Sequence, residues 1–405
     1  MAQQLSTTVA TISRFHSFEV ALQLQKRKAL KTIYSGLARR FLRRYPVDPA
    51  ALRTFPWFQT PLEAAQRLKF LSPAQSMKLE WIAKTALDRH ISRTLPDCHV
   101  FMALSGIGLA AGRAAQERNI AYICDRSSSH IAYQNELLRA EYEMLDLPYQ
   151  PISERMIDRE EQEYSEADTI VVPSGFAERS FVERGYAPKR LCRIPFGVNL
   201  ASFKRVCDRD DEFVVLFVGS PSVQKGFHYL LQAFVRADIP GAKLRVVGNP
   251  LGETEKLLKK FPVPGIEVLG PQFQPEVVRH MSRASALVLP SIQEGMALVQ
   301  AEAMACGCPV VASANTGSED LFSNGEEGFI LAPGDIEGLA EKMIQLYEDK
   351  PLRDAMGSKG VLRARNIGGW DGYGERLVSL CLSLAKARGH DVEVSEDELA
   401  SSQEA

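Results

Sequence analysis

Cysteine is scarce and unpatterned in this chain of 405 residues: seven are scattered, with no CxxC pair and no cluster with histidine. Cys306 and Cys308 stand one residue apart, a spacing that suits neither a zinc site nor a disulfide. The thiols read as free in a reducing compartment. No apolar run reaches the ~18–20 residues of a membrane span. The N-terminus, MAQQLSTTVATISRF, lacks the basic start and long apolar centre of a signal peptide. A cytoplasmic location is therefore expected. Charge of neither sign dominates: 48 Lys and Arg face 50 Asp and Glu, and the net of −2 excludes nucleic-acid binding driven by electrostatics. No repeat of fixed period is present.

What the chain has is length and alternation. It is too long for one ordinary core and suits two domains. From about residue 212, short apolar runs ending in Gly, Pro or Ser (EFVVLFVG, KLRVVG, IEVLG, ALVLP, PVVAS) alternate with stretches of helical spacing such as KGFHYLLQAFVRA. Buried, non-alternating strands between helices mean a parallel sheet covered on both faces. The first half carries the same signals in CHVFMAL, NIAYICD and ADTIVVPS. The expected class is α/β, with two Rossmann-like domains facing across a cleft. The expected units are an N-terminal Rossmann-like domain (1–205), a C-terminal Rossmann-like domain (206–368), a helix crossing back (369–390) and an acidic disordered tail (391–405).

The stretch PSIQEGMALVQAEAMACGCPVVAS (290–313) holds Glu294 and Glu302, with seven residues between them, in an otherwise almost uncharged segment. Gly295 lets the backbone turn after a strand. A helix starting near Ala297 puts Glu302 on its second turn, so both carboxylates can face the cleft. There they can accept hydrogen bonds from sugar hydroxyls. On their own they read equally as a solvated helix residue and an acid beside a helix N-terminus. Lys225 lies at a helix start after a strand–Gly loop, a place unfavourable for a cation unless an anion sits there.

This segment resembles the E-x7-E signature of family-4 retaining glycosyltransferases, which have the GT-B fold. Pro-Ser, a short loop, Glu-Gly, a helix with a second Glu, and Ala-x-Gly-x-Pro-Val-Val all stand in order. FVGSPSVQKGFHYLLQAF is similar to the family's Gly-loop-Lys-Gly segment, and TGSEDL (316–321) and GDIEGLAEKM (334–343) follow as in the family. The likeness covers residues 165–375 and is thin before them. It implies that a sugar moves from a nucleotide-diphosphate donor to an acceptor hydroxyl with retention and without a metal or other cofactor. Glu302 would bind the ribose, Glu294 the donor sugar and Lys225 the diphosphate. Gly219, Ser220, Gly295, Met296, Ala297, Thr316 and Gly317 would line the donor site. The family has Arg where Ser220 stands. In the first domain, His130, near the end of its strand, is a candidate catalytic contact. His16, Asp125 and Arg126 are candidate sugar or acceptor contacts. The expected partners are a nucleotide sugar and a glycan or lipid-linked acceptor, in surface polysaccharide or glycolipid assembly, with no nucleic acid. Two alternatives stay open: a non-catalytic glycosyltransferase-like binding subunit, or a nucleotide-sugar epimerase on the same fold.

One further stretch stands out. Residues 26–44, KRKALKTIYSGLARRFLRR, hold eight basic residues and no acidic one, with apolar residues interleaved. A basic amphipathic segment can lie on an anionic membrane surface. It reads equally as a solvated helix face. Peripheral contact at the inner face of the membrane is the expectation it raises.

Overall fold

The computed structural model describes residues 2–68, 70–367 and 369–394. Two parallel sheets organise the chain. The first is built from β2 (Thr7–Thr11), β3 (Leu30–Ser35), β4 (Leu52–Thr54), β5 (Val100–Leu104), β6 (Ala121–Asp125), β7 (Thr169–Val172) and β8 (Leu191–Arg193), in the order β4-β3-β2-β5-β6-β7-β8. The second takes β9 (Val214–Val218), β10 (Lys243–Val247), β11 (Glu267–Val268), β12 (Ala286–Leu289), β13 (Val310–Ser313) and β14 (Gly328–Leu331), in the order β11-β10-β9-β12-β13-β14. Every residue of β2, β5, β6, β12 and β13 is buried. Helices cover both faces, which is why β5 and β12 read as continuous apolar runs.

In the first domain the helices are α1 (Ser17–Lys26), α2 (Gln59–Arg67), α3 (Pro73–Thr94), α4 (Leu109–Glu117), α5 (Ile131–Met144), α6 (Glu154–Glu166) and α7 (Gly175–Val182). The second carries α8 (Phe227–Ala237), α9 (Thr254–Lys260), α10 (Gln274–Arg283), α11 (Val299–Ala305), α12 (Ile336–Glu348) and α13 (Lys350–Asn366). Their ends follow local chemistry. Ser72 and Gln75 form a capping box before Pro73, and Asp335 accepts the N–H of Gly338 at the start of α12.

Helix α14 (Gly369–Ala387) packs on α1, where Lys26 pairs with Asp371 at 2.9 Å and Arg27 donates to the Asp371 carbonyl. The tail expectation needs correction at its start. Residues 392–393 form β15 (Val392–Glu393), paired in parallel with β1 (Gln3–Gln4), because the first strand leaves an edge the chain end can join. Residues 395–405, expected as disordered, lie outside the described residues.

The basic stretch is also corrected. It is not one helix: α1 ends at Lys26, and residues 30–35 become β3, whose Thr32–Ser35 are buried. Thr, Ile and Tyr in succession favour a strand, and the sheet takes them.

Sheet topology then fixes where a ligand can sit. The strand order reverses between β2 and β5 in one sheet and between β9 and β12 in the other. Ligands of doubly wound sheets bind outside the carboxyl ends of strands at such points. His16 follows β2, Lys225 follows β9 and Glu294 follows β12.

Candidate donor and acceptor cleft

On the second domain, β9 ends at Gly219 and the chain turns through Ser220–Gly226 into α8. Gly226 has φ 62°, and a Cβ there would come within 1.8 Å of the Pro290 carbonyl oxygen. Only glycine lets this turn lie against the end of β12. That approach carries Lys225 to Glu294, and their side chains form an ion pair. Ser291 Oγ donates to the same Glu294 oxygen at 3.1 Å. Lys225 precedes the first helical residue, Phe227, and its own N–H is held by Ser222 Oγ at 3.2 Å. Gln224 Nε2 donates to both the carbonyl oxygen and the side-chain oxygen of Gln293, locking the two turns together.

Glu302 is different. Helix α11 starts at Val299, so Glu302 lies on its first turn, not the second. Its carboxylate makes no hydrogen bond or ion pair with the described residues, and burial pushes its pKa up to about 7. A nearly buried carboxylate without a partner is costly, and a hydroxyl-bearing ligand would relieve it.

The turn Gln293–Ala297 is fixed from both domains. Ser174, the N-cap of α7, donates from Oγ to the Gly295 carbonyl at 2.5 Å. Gln293 donates to Ser128 and Ser129 at 2.6 and 2.9 Å. Met296 is buried and its sulfur faces the N–H of Phe196 at 3.3 Å. The Ala297 N–H is taken by the Thr316 carbonyl at 3.0 Å. Thr316 and Ser318 turn their hydroxyls inward to Gln300 and the Ser313 carbonyl. Ser318–Asp320 form a 3-10 turn, and the preceding Gly317 is left-handed.

On the first domain the structure brings His16 and Asp125 together, 109 residues apart in sequence: Nε2 lies 2.7 Å from Oδ2. Both side chains are nearly buried, and the His16 ring lies 4.5 Å from that of Phe196. His16 lies just after β2 and Asp125 ends β6, so the dyad sits at the carboxyl edge of the sheet. His130 and Arg126 are placed elsewhere. His130 is 1% exposed, and its Nδ1 accepts the Ala132 N–H as the N-cap of α5. Its ring is enclosed by Tyr164, Phe181 and Tyr186. Burial and the nearby arginines lower its pKa to about 3. The expectation of a cleft-facing catalytic histidine is corrected accordingly. Arg126 is bound internally by Glu160 at 2.8 Å, by Gln134 and by the Ser129 carbonyl, in the lining of a cavity of about 550 Å³. Among its lining residues are Ser76, Lys84, Gln134, Gln150 and Glu160.

Residues the sequence reading did not name include Gln293, Ser128, Ser129 and Phe196. Each acts across the domain boundary, and no local spacing announces such a contact.

Fold and cleft together define a GT-B protein. Residues 201–363 match the family model described as Glycosyl transferases group 1. The capsular polysaccharide biosynthesis glycosyltransferase CapM of Staphylococcus aureus is 32% identical over 164 residues, covering 39% of this chain and 42% of CapM. A D-inositol 3-phosphate glycosyltransferase of Thermomonospora curvata is 29% identical over 252 residues, covering 55% of this chain and 58% of that protein. The chain spans about half the length of the curated relatives it matches. Among solved structures, Anabaena HepE in complex with UDP and glucose superposes with a TM-score of 0.66 at 17% identity, over 94% of this chain and 100% of that one. Sucrose-phosphate synthase from Thermosynechococcus elongatus gives 0.65 at 18% identity, over 95% and 100%.

Proposed function

We propose that this protein is a retaining glycosyltransferase that moves a sugar from a nucleotide-diphosphate donor to an acceptor hydroxyl, in polysaccharide or glycolipid assembly. The observation that carries the reading is the pairing of Lys225 with Glu294 beside the half-buried Glu302, which has no partner among the described residues, all at the strand-order reversal of the second sheet. A diphosphate would take over Lys225, releasing Glu294 to accept from donor-sugar hydroxyls. Glu302 would accept from the ribose. The family match over 201–363 and the named relatives support the same class.

In the reaction, the bond from the anomeric carbon to the diphosphate oxygen breaks. The bond to the acceptor oxygen forms on the same face of the sugar, and the acceptor's proton passes to the leaving diphosphate. Lys225 stabilises that developing charge, so the site supplies a cation from its own chain. His16, held by Asp125, faces the acceptor side. A cytoplasmic, membrane-peripheral protein acting on a lipid-linked or glycan acceptor fits this arrangement.

Thermal denaturation with UDP-, GDP- and ADP-sugars tests it. Saturating ligand should stabilise wild type by ~2–3 kcal/mol and leave Glu302→Ala unmoved. If no nucleotide sugar stabilises wild type, the donor site does not exist. If one does but no acceptor supports turnover, the non-catalytic binding subunit replaces the enzyme; Ser220 in the arginine position of the resembled family favours that second reading.

A further inference from the structure

Three residues beside Lys225 are tied to the first domain, and every tie leads to one helix. Val223, buried two residues before Lys225, gives its N–H to Glu253 Oε1 at 2.8 Å. The other oxygen of Glu253 accepts from Tyr142 Oη of α5 at 2.5 Å. Gln224 donates to Gln293, whose amide donates to Ser128 and Ser129 in the loop that opens α5. His228, three residues after Lys225, is fully buried, with Nε2 2.7 Å from Glu141 Oε1 of α5. Its Nδ1 has no partner among the described residues, so the ring's hydrogen bond is the one that crosses to the first domain.

The dimensions of α5 suit it to this role. It has 14 residues and is about 21 Å long. Its start adjoins the Ser128–Ser129 contact, and its last turn carries Glu141 and Tyr142. Neighbouring residues on a helix point about 100° apart, and these two reach different elements, α8 and the residue that caps α9. Burial and the Glu253 carboxylate push the Tyr142 pKa upward, so the hydroxyl remains a donor at neutral pH. The far side of the turn is fixed as well, since Thr254 Oγ1 donates to the Pro221 carbonyl at 2.6 Å.

We propose that α5 holds Lys225 in place for the diphosphate, with Glu141, Tyr142 and Glu253 as positioning residues. Lysine is a point charge on a flexible stem, so its grip on an anion depends on where its backbone is held. Without a ligand, Lys225 rests on Glu294. When a diphosphate displaces that partner, the ties from α5 keep the turn where it was, and the cation meets the anion without reorganisation. The inference rests on the donor role proposed for Lys225, but the hold of α5 on the turn is measurable without nucleotide.

Hydrogen–deuterium exchange over residues 220–227 of the full chain, free of ligand, reads the hold. Tyr142→Phe and Glu141→Ala should each speed exchange about tenfold. Glu141→Gln keeps an acceptor for His228 and should restore the wild-type rate. Tyr149→Phe deletes a hydroxyl bonded to Asn135 within the first domain and should change nothing. Titration with UDP, GDP and ADP, each beside its monophosphate, reads the consequence. Tyr142→Phe and Glu141→Ala should lower the preference for diphosphate over monophosphate about tenfold, a ratio that a general loss of stability leaves unmoved, and Glu141→Gln should recover it. Circular dichroism shows that the variants remain folded. Unchanged exchange in both variants overturns the proposal, as does faster exchange with an unchanged ratio. If wild type binds no nucleotide, it is the donor reading that fails, and the exchange rates alone decide whether α5 holds the turn.

Discussion

The two glutamates of the 290–313 segment differ in what surrounds them, and the difference is measurable. Glu294 has its counter-charge in Lys225. Glu302 has none among the described residues, and burial lifts it from the ordinary 4.5 to about 7. A carboxyl raised in the folded state stays protonated where the unfolded chain has already lost its proton. Stability from this group is therefore fully present below 4.5 and is lost as pH rises through about 7. Glu302→Gln should flatten that slope and raise stability above neutral pH by ~1–2 kcal/mol, as read by thermal denaturation across this range. The same variant should lose the nucleotide response, because an amide cannot replace a carboxylate accepting two hydroxyls. Both glutamates were legible in the sequence because their context is local: strand, loop, Gly, helix. His130 was not. Ligand contact or helix N-cap depends on where the ring lies, and three aromatics from α6, α7 and the segment after it decide that.

At the scale of elements, the N-terminus of α4 shows how the first domain differs from the second. A helix N-terminus after a Gly-bearing turn favours an anion. Here the chain fills that place itself. Glu163 accepts from the N–H groups of Gly106 and Gly108 at 2.5 and 2.9 Å, and Asp88 accepts from Ala110 and Ala111 at 2.9 and 2.8 Å. Arg159 bridges the two carboxylates and donates to the Gly106 carbonyl. Nothing in the spacing of residues 88, 159 and 163 predicts this cluster, since it joins α3, α4 and α6. Asp88→Ala should destabilise the protein by ~3 kcal/mol, because it takes one of two carboxylates from a buried guanidinium and the acceptor from the N–H groups of Ala110 and Ala111. Chemical denaturation measures this, and nucleotide affinity should stay unchanged, since the proposed donor site lies on the second domain. The basic stretch 26–44 teaches the complementary lesson. Its composition was visible, but which of its residues enter β3 and which remain exposed was a matter of sheet register.

At the scale of the molecule, two of the contacts between the domains bear on the cleft, beside that of α7 with Glu319 and Asp320. One is the Gln293–Gly295 turn. A Cβ on Gly295 would lie 1.8 Å from the Ser127 carbonyl oxygen across the boundary. The other is the far end of α5, where Glu141 meets His228 at 2.7 Å, Tyr142 meets Glu253 at 2.5 Å and Lys260 caps the Leu145 carbonyl. Glu253 also holds the N–H of Val223, in the turn that presents Lys225. Glu253 thus joins a contact between the domains to the turn that presents Lys225. Gly295→Ala should force the domains apart, raising the radius of gyration in small-angle scattering. Nucleotide binding should persist while turnover falls by more than about tenfold.

The sequence by itself determined the class of fold and the strand–turn–helix setting of Lys225 and Glu294, because strand–helix alternation and a strand–turn–helix motif are written in neighbouring residues. Tertiary structure alone decided the pairing of His16 with Asp125, the burial of His130 and Arg126, the filled N-terminus of α4 and the bridging role of Gln293. These depend on contacts between residues far apart in the chain, and the energy that settles them resides in packing and burial, not in local spacing.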